Sequence, residues 1–292
     1  MFRVTPVTER LALLQLLTQP LDNAIVTPKR YFKASNELVV LTLLVTWTVT
    51  LAYDYRLAWD HPARNYVGHL NPCFGWDFPP ASYIAVFACA ADVYLAWTYA
   101  TLEAIRTKLR DDDGRVDKAE RFSLLTTYLH GFASMLWMVL WTVGPPNDEW
   151  TAHLAIFTTA VVFRYLCTLG NYVENRYGKA GESGRVLPKH TIYIVVYGCV
   201  TAMLPVLYFT DIIVYEAQGR TGVDPVIPWP VLQFFDIAWV VCLALSTRLS
   251  VPEPPILVTR RVLEFDEEFD ARGFTSGQQQ VMRQFGYTEV GQ

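Results

Sequence analysis

Charge is what this sequence has least of. Only 18% of its 292 residues are Asp, Glu, Lys or Arg, against about a quarter in a soluble globular chain. With 52% hydrophobic residues and a mean hydropathy of +0.20, the chain exceeds the roughly 45–50% apolar content of a soluble domain, and the excess is concentrated in blocks, which is the membrane pattern. The net charge of −4 leaves no basic footprint for a nucleic acid. Cysteine is scarce as well. Cys73, Cys89, Cys167, Cys199 and Cys242 are scattered, four of them in apolar runs, and no C-x-x-C occurs, which argues against a disulfide framework or a zinc site. The nucleophile motif G-x-S-x-G and the zinc motif H-E-x-x-H are missing. Asp111-Asp112-Asp113-Gly114 lacks the ligand spacing and terminal Glu of a calcium-binding loop. The glycines of 178–184 follow no strand, so they do not make a phosphate loop. There is no internal repeat. The expectation is a chain without catalytic residues, metal or cofactor.

What is present is apolar sequence in blocks. Six segments, Glu37–Tyr55, Ser82–Ile105, Phe122–Val143, Trp150–Tyr172, Thr191–Tyr215 and Trp229–Thr247, are each about as long as the ~20 residues a helix needs to cross a bilayer. The predicted fold is all-α: a polytopic transmembrane bundle over residues 37–248, with an N-terminal segment 1–36 and a polar tail 249–292. Pro205 should kink the fifth span. Of the 24 Lys and Arg residues, twenty fall in the N-terminal segment, the second and fourth loops and the tail. Three, Arg56, Arg64 and Arg220, fall on the opposite side, and Arg164 lies inside a span. Such a bias places both ends on the basic side of the membrane, and it holds only for an even number of spans. The N-terminal segment has no apolar core of the secretory kind. Leu11, Leu14, Leu17 and Leu21 recur at helical spacing after Thr5-Pro6, as in a helix lying on an anionic leaflet; a mitochondrial targeting role is the alternative. The outer loop Arg56–Ala81, rich in turn formers and aromatics, is expected to fold back as a lid.

Six ionisable residues lie within the spans: Asp92, His130, His153, Arg164, Asp211 and Asp236. At about 1.5 Å per residue, Arg164 and Asp92 reach similar depths, Asp236 is shallower, and Asp211 is shallower still. A guanidinium in the hydrocarbon costs roughly 2.5 kcal/mol or more without a partner. An intramembrane pair of Arg164 with Asp92 is therefore expected, with Asp236 as second choice. His130 lies towards the inner side and His153 at the outer, so the two cannot share one haem iron. These charges serve either as buried glue between helices or as a proton or ion path.

Asn71-Pro72 and Phe78-Pro79-Pro80-Ala81-Ser82 precede span two. Spans three and four form a tight outer hairpin, span four opens with His153-Leu154-Ala155-Ile156-Phe157, and span six carries Gln233 and Asp236. In these features residues 37–250 resemble the damage-regulated autophagy modulator (DRAM) type of six-span membrane protein, and the N-terminal segment and tail depart from it. The resemblance implies an endomembrane protein of lysosome, Golgi or ER without catalysis, touching lipid metabolism. The residues alone point first to a non-catalytic accessory or scaffold subunit of a larger membrane assembly. Its partners are membrane lipids and other subunits, and a mitochondrial inner-membrane complex of respiratory-chain or ATP-synthase type suits the basic N-terminus. A proton- or ion-linked transporter is the third reading.

Overall fold

The computed structural model describes residues 13, 25–62, 64–110, 117–139, 150–178, 186–217, 227–251 and 256–257. In chain order these form β1 (Ile25–Val26), α1 (Pro28–Asp54), α2 (Arg56–Trp59), α3 (Arg64–Val67), the 3-10 turn η1 (Pro72–Trp76), α4 (Ala81–Arg110), α5 (Lys118–Val139), α6 (Trp150–Tyr177), α7 (Pro188–Ala217), α8 (Trp229–Leu249) and β2 (Ile256–Leu257). Six of the helices, α1 and α4 to α8, are long and apolar enough to cross a membrane. The chain is an integral membrane protein, an all-α bundle of six such helices. The anticipated N-terminal helix, Leu13 apart, the tip of the hairpin at 144–149, the loops 111–116 and 179–184 and most of the polar tail lie outside the described residues.

The helices start where local chemistry starts them, which is often before the apolar run begins. Pro28 occupies the first turn of α1 behind an extended Thr27, a position where the missing N–H costs nothing. α1 thus begins nine residues ahead of the expected Glu37, and Ser35 and Asn36 become helical. At α5, the Glu120 amide donates to Asp117 Oδ1 at 2.8 Å and the Asp117 amide donates to Glu120 Oε2 at 3.1 Å. This reciprocal cap satisfies two orphan donors and starts the helix at Lys118. α7 runs unbroken through Pro205.

Each long helix packs on its neighbour in sequence, and α1 closes on α8, so the six form a ring. Large side chains such as Leu44, Phe87, Ile192 and Phe234 point outward and are exposed, as lipid-facing residues are. The interior holds small and hydroxylated residues. Thr42, Thr46 and Thr158 donate to the carbonyls of Leu38, Thr42 and Leu154, which satisfies their hydroxyls without a partner helix. Helices α5 and α6 approach closely at Gly170. A Cβ there would meet Thr126 Oγ1 at 2.1 Å and the Ser123 Cα at 3.0 Å, so α5 and α6 touch through a residue with no side chain.

The outer connection from α1 to α4 is folded, not loose. Its η1 turn presses on α1: Trp47 Nε1 donates to the Pro72 carbonyl at 2.6 Å, and Thr50 Oγ1 donates to that of Gly75 at 2.7 Å. A Cβ on Gly75 would lie 2.6 Å from the Trp47 ring. The Pro79–Pro80 peptide is cis. On the opposite side β1 and β2 pair antiparallel, Ile25 with Leu257 and Val26 with Ile256, and Lys29 Nζ donates to the Val251 carbonyl.

Candidate functional site

Arg164 is among the most deeply buried side chains, at 1% exposure. It lies near the middle of α6, about 20 Å from either end of that helix at 1.5 Å per residue. Its Nη2 donates to Asp92 Oδ2 at 2.7 Å, which joins α6 to α4. Its Nη1 donates to Ser35 Oγ at 2.8 Å and to Asn36 Oδ1 at 2.7 Å, both on α1. Ser35 Oγ donates in turn to Asp92 Oδ1. Asn36 Nδ2 donates to Ser246 Oγ of α8 at 2.8 Å. The guanidinium also lies over the Trp137 ring of α5, with Cζ 5.5 Å from the centroid, within cation–π range. One cation thereby gathers five of the six ring helices. Charge-assisted bonds of this kind are about twice as strong as neutral ones.

Asp236 is not part of that group. It sits on α8 about 10 Å from the outer end of the helix at 1.5 Å per residue, and the outer connection reaches down to it. Asp236 Oδ2 receives Asn71 Nδ2 at 2.8 Å and the Tyr208 hydroxyl at 2.6 Å, and lies 2.8 Å from His69 Nε2. Asn71 Nδ2 also reaches the Tyr208 hydroxyl at 2.7 Å, and Asn71 Oδ1 accepts the Cys73 amide at 2.8 Å. The reason is steric reach. The connection folds inward on η1 and fills the shallow end of the ring, so a carboxylate at that depth meets the loop before it meets Arg164.

The other ionisable residues separate. His130 on α5 stacks edge-on against Phe32, centroids 5.3 Å apart, and its Nε2 has no hydrogen-bond partner among the described residues. Asp211 Oδ1 accepts the Ile227 amide at 3.0 Å, tying α7 to the start of α8. His153 is buried at the outer end of α6, within electrostatic reach of Asp77 and His61. His61 and Asp77 form a second buried pair, Nε2 to Oδ2 3.1 Å, with His61 stacked 3.9 Å over Phe74. Burial, reinforced by the charges of Asp77 and Asp236, pushes the Cys73 thiol well above the ordinary thiol range, so it is a poor nucleophile. None of the five cysteines forms a disulfide. Among the described residues no three His, Cys, Asp or Glu side chains are placed to hold a metal.

No family model matches this chain. Nor does any curated protein or solved structure. Its site therefore has to be read from its own geometry.

Two functional groups escaped the sequence reading. Ser35 and Asn36 were excluded because the first span was expected to start at Glu37; the signal that finds them is Thr27-Pro28, a helix start seven residues upstream of Ser35. Arg106 follows the expected end of the second span at Ile105, yet it is 3% exposed on α4 and bonded to Glu103 and, at 2.7 Å, to Glu174 of α6. The i, i+3 spacing of Glu103 and Arg106 is visible in the sequence. That Glu174 completes the group is visible only in three dimensions.

Proposed function

We propose that this protein is a non-catalytic membrane scaffold, an accessory subunit of a larger membrane assembly. One observation carries the reading: the central guanidinium is spent on partners within the chain. Arg164 binds Asp92, Ser35 and Asn36 with good geometry at 1% exposure, and the cavity lined by Asp92 and Trp137 beside it, about 10 Å³, has room for no more than about one water. A carrier keeps such charges beside a cavity that a substrate or ion can enter, so this packing favours glue over transport. A rigid ring with a lipid-facing exterior is a suitable platform for neighbouring helices. The basic N-terminal segment supports a mitochondrial inner-membrane location for the assembly. Native electrophoresis after mild detergent extraction tests the reading. The expected result is co-migration with specific additional chains, and migration solely as a free monomer overturns it.

A second reading is favoured by a separate contact. Asn71 and Asp236, both among the residues that resemble the DRAM type, bond each other at 2.8 Å. On that reading the protein resides in an endomembrane and serves lipid handling. Organelle staining separates the two: mitochondrial signal supports the first, lysosomal or Golgi signal the second.

A further inference from the structure

His69 and Asp236 are placed so that a single proton must lie between them. His69 Nδ1 is 2.9 Å from the Val67 carbonyl. A carbonyl only accepts, so Nδ1 carries a hydrogen. The other ring nitrogen, Nε2, lies 2.8 Å from Asp236 Oδ2. With Nδ1 protonated, a neutral ring presents a lone pair at Nε2, and a carboxylate presents lone pairs in return. At 2.8 Å, with both side chains 4% exposed or less, that contact is repulsive unless a proton occupies it. Imidazolium with carboxylate and imidazole with carboxylic acid both satisfy the geometry, and both leave the pair neutral.

The position of this proton matters because the pair joins the outer connection to the bundle. His69 and Asn71 belong to the segment from α3 to η1, whereas Asp236 and Tyr208 belong to α8 and α7. The charged and titratable groups around the pair are Tyr208 from α7, and Cys73 and Asp77 from the connection. Asp77 is in turn paired with His61, with His153 of α6 in reach of both. No cation other than the His69 ring bonds the Asp236 carboxylate among the described residues; its remaining partners are the neutral Asn71 and Tyr208. We propose that the segment 64–77 is a proton-held latch on the outer face, closed while His69 and Asp236 share their proton and released when it is lost. The sign follows from the chemistry. Raising the pH removes the proton and leaves a buried carboxylate facing a lone pair. Lowering it keeps the contact attractive.

The test is hydrogen–deuterium exchange on the full-length protein in lipid nanodiscs, from about pH 5 to about pH 10, which exposes any linkage of local stability to proton binding. Rates are corrected for the pH dependence of chemical exchange. Protection of peptides within 64–77 is expected to fall at least about tenfold as pH rises, while peptides around Arg164 stay unchanged. Two variants assign the proton. In Asp236→Asn the shared proton is gone, and an amide nitrogen facing Nε2 no longer accepts from Asn71 Nδ2 and the Tyr208 hydroxyl; in His69→Gln the amide N–H donates to the carboxylate at every pH, and those two bonds are kept. His69→Gln should keep the segment protected across the range, whereas Asp236→Asn should loosen it without the wild-type pH dependence. A pH-independent wild-type segment overturns the proposal. So does a variant that folds and retains the wild-type pH dependence, or a loss of protection spread evenly over the six helices. The wild-type measurement is decisive even if both variants fail to fold.

Discussion

Arg164 shows how one side chain can be both a cost and an organiser. A lone guanidinium at mid-span is expensive, and truncating one partner of a buried pair leaves the other uncompensated, at about 3–5 kcal/mol. Arg164→Met should therefore lower the melting temperature of the detergent-solubilised protein sharply, because Asp92 is then buried without its cation. The charge swap Arg164→Asp with Asp92→Arg should recover part of that loss. Fluorescence-detected size exclusion after heating measures both; a double variant no better than the single ones would show that the pair does not stabilise the fold. Asn36→Ala should cost less, roughly 1–3 kcal/mol, since the Arg164 charge keeps Asp92 and Ser35. His69 belongs to the same scale. Its value lies in the proton it holds, and no property of the isolated residue reveals that Asp236 is its partner.

At the scale of elements, the α5–α6 hairpin is held by close approach. Gly170 faces Ser123 and Thr126 with no room for a side chain, and the obstacle at 3.0 Å is the Ser123 Cα, which is backbone. Gly170→Val should force the two helices apart and destabilise by more than the typical 1–3 kcal/mol of an overpacked core; a thermal melt close to wild type would refute the packing described. Gly75→Ala is expected to act locally. Its Cβ would strike Trp47, so the η1 turn should lose protection in hydrogen exchange while the ring stays folded. The α4–α6 contact illustrates the limit of reading helices singly. Glu103 and Arg106 share a face of α4, but their burial depends on Glu174 arriving from α6. A pattern of charges along one helix reads as solvated until a second helix covers it.

For the whole molecule, the charge bias of the connecting segments and the alternation of six spans place both flanking segments on one face. The pairing of β1 with β2 is consistent with that placement, since it brings the segments before α1 and after α8 together. Reporter tags at the two ends should be labelled from the same side of sealed vesicles, and labelling from opposite sides would overturn the six-span arrangement. Hydropathy and depth along the chain were sufficient for the number of spans, the all-α architecture and the pairing of Arg164 with Asp92. All of these follow from depth and from the price of charge in lipid, and depth is linear in the chain. The closed ring, the inward fold of the outer connection, the capture of Asp236 by His69, Asn71 and Tyr208, and the recruitment of Ser35 and Asn36 were decided only by tertiary structure. Each depends on which helix faces which, and rotation about a helix axis and the order of helices around a ring are not encoded by depth.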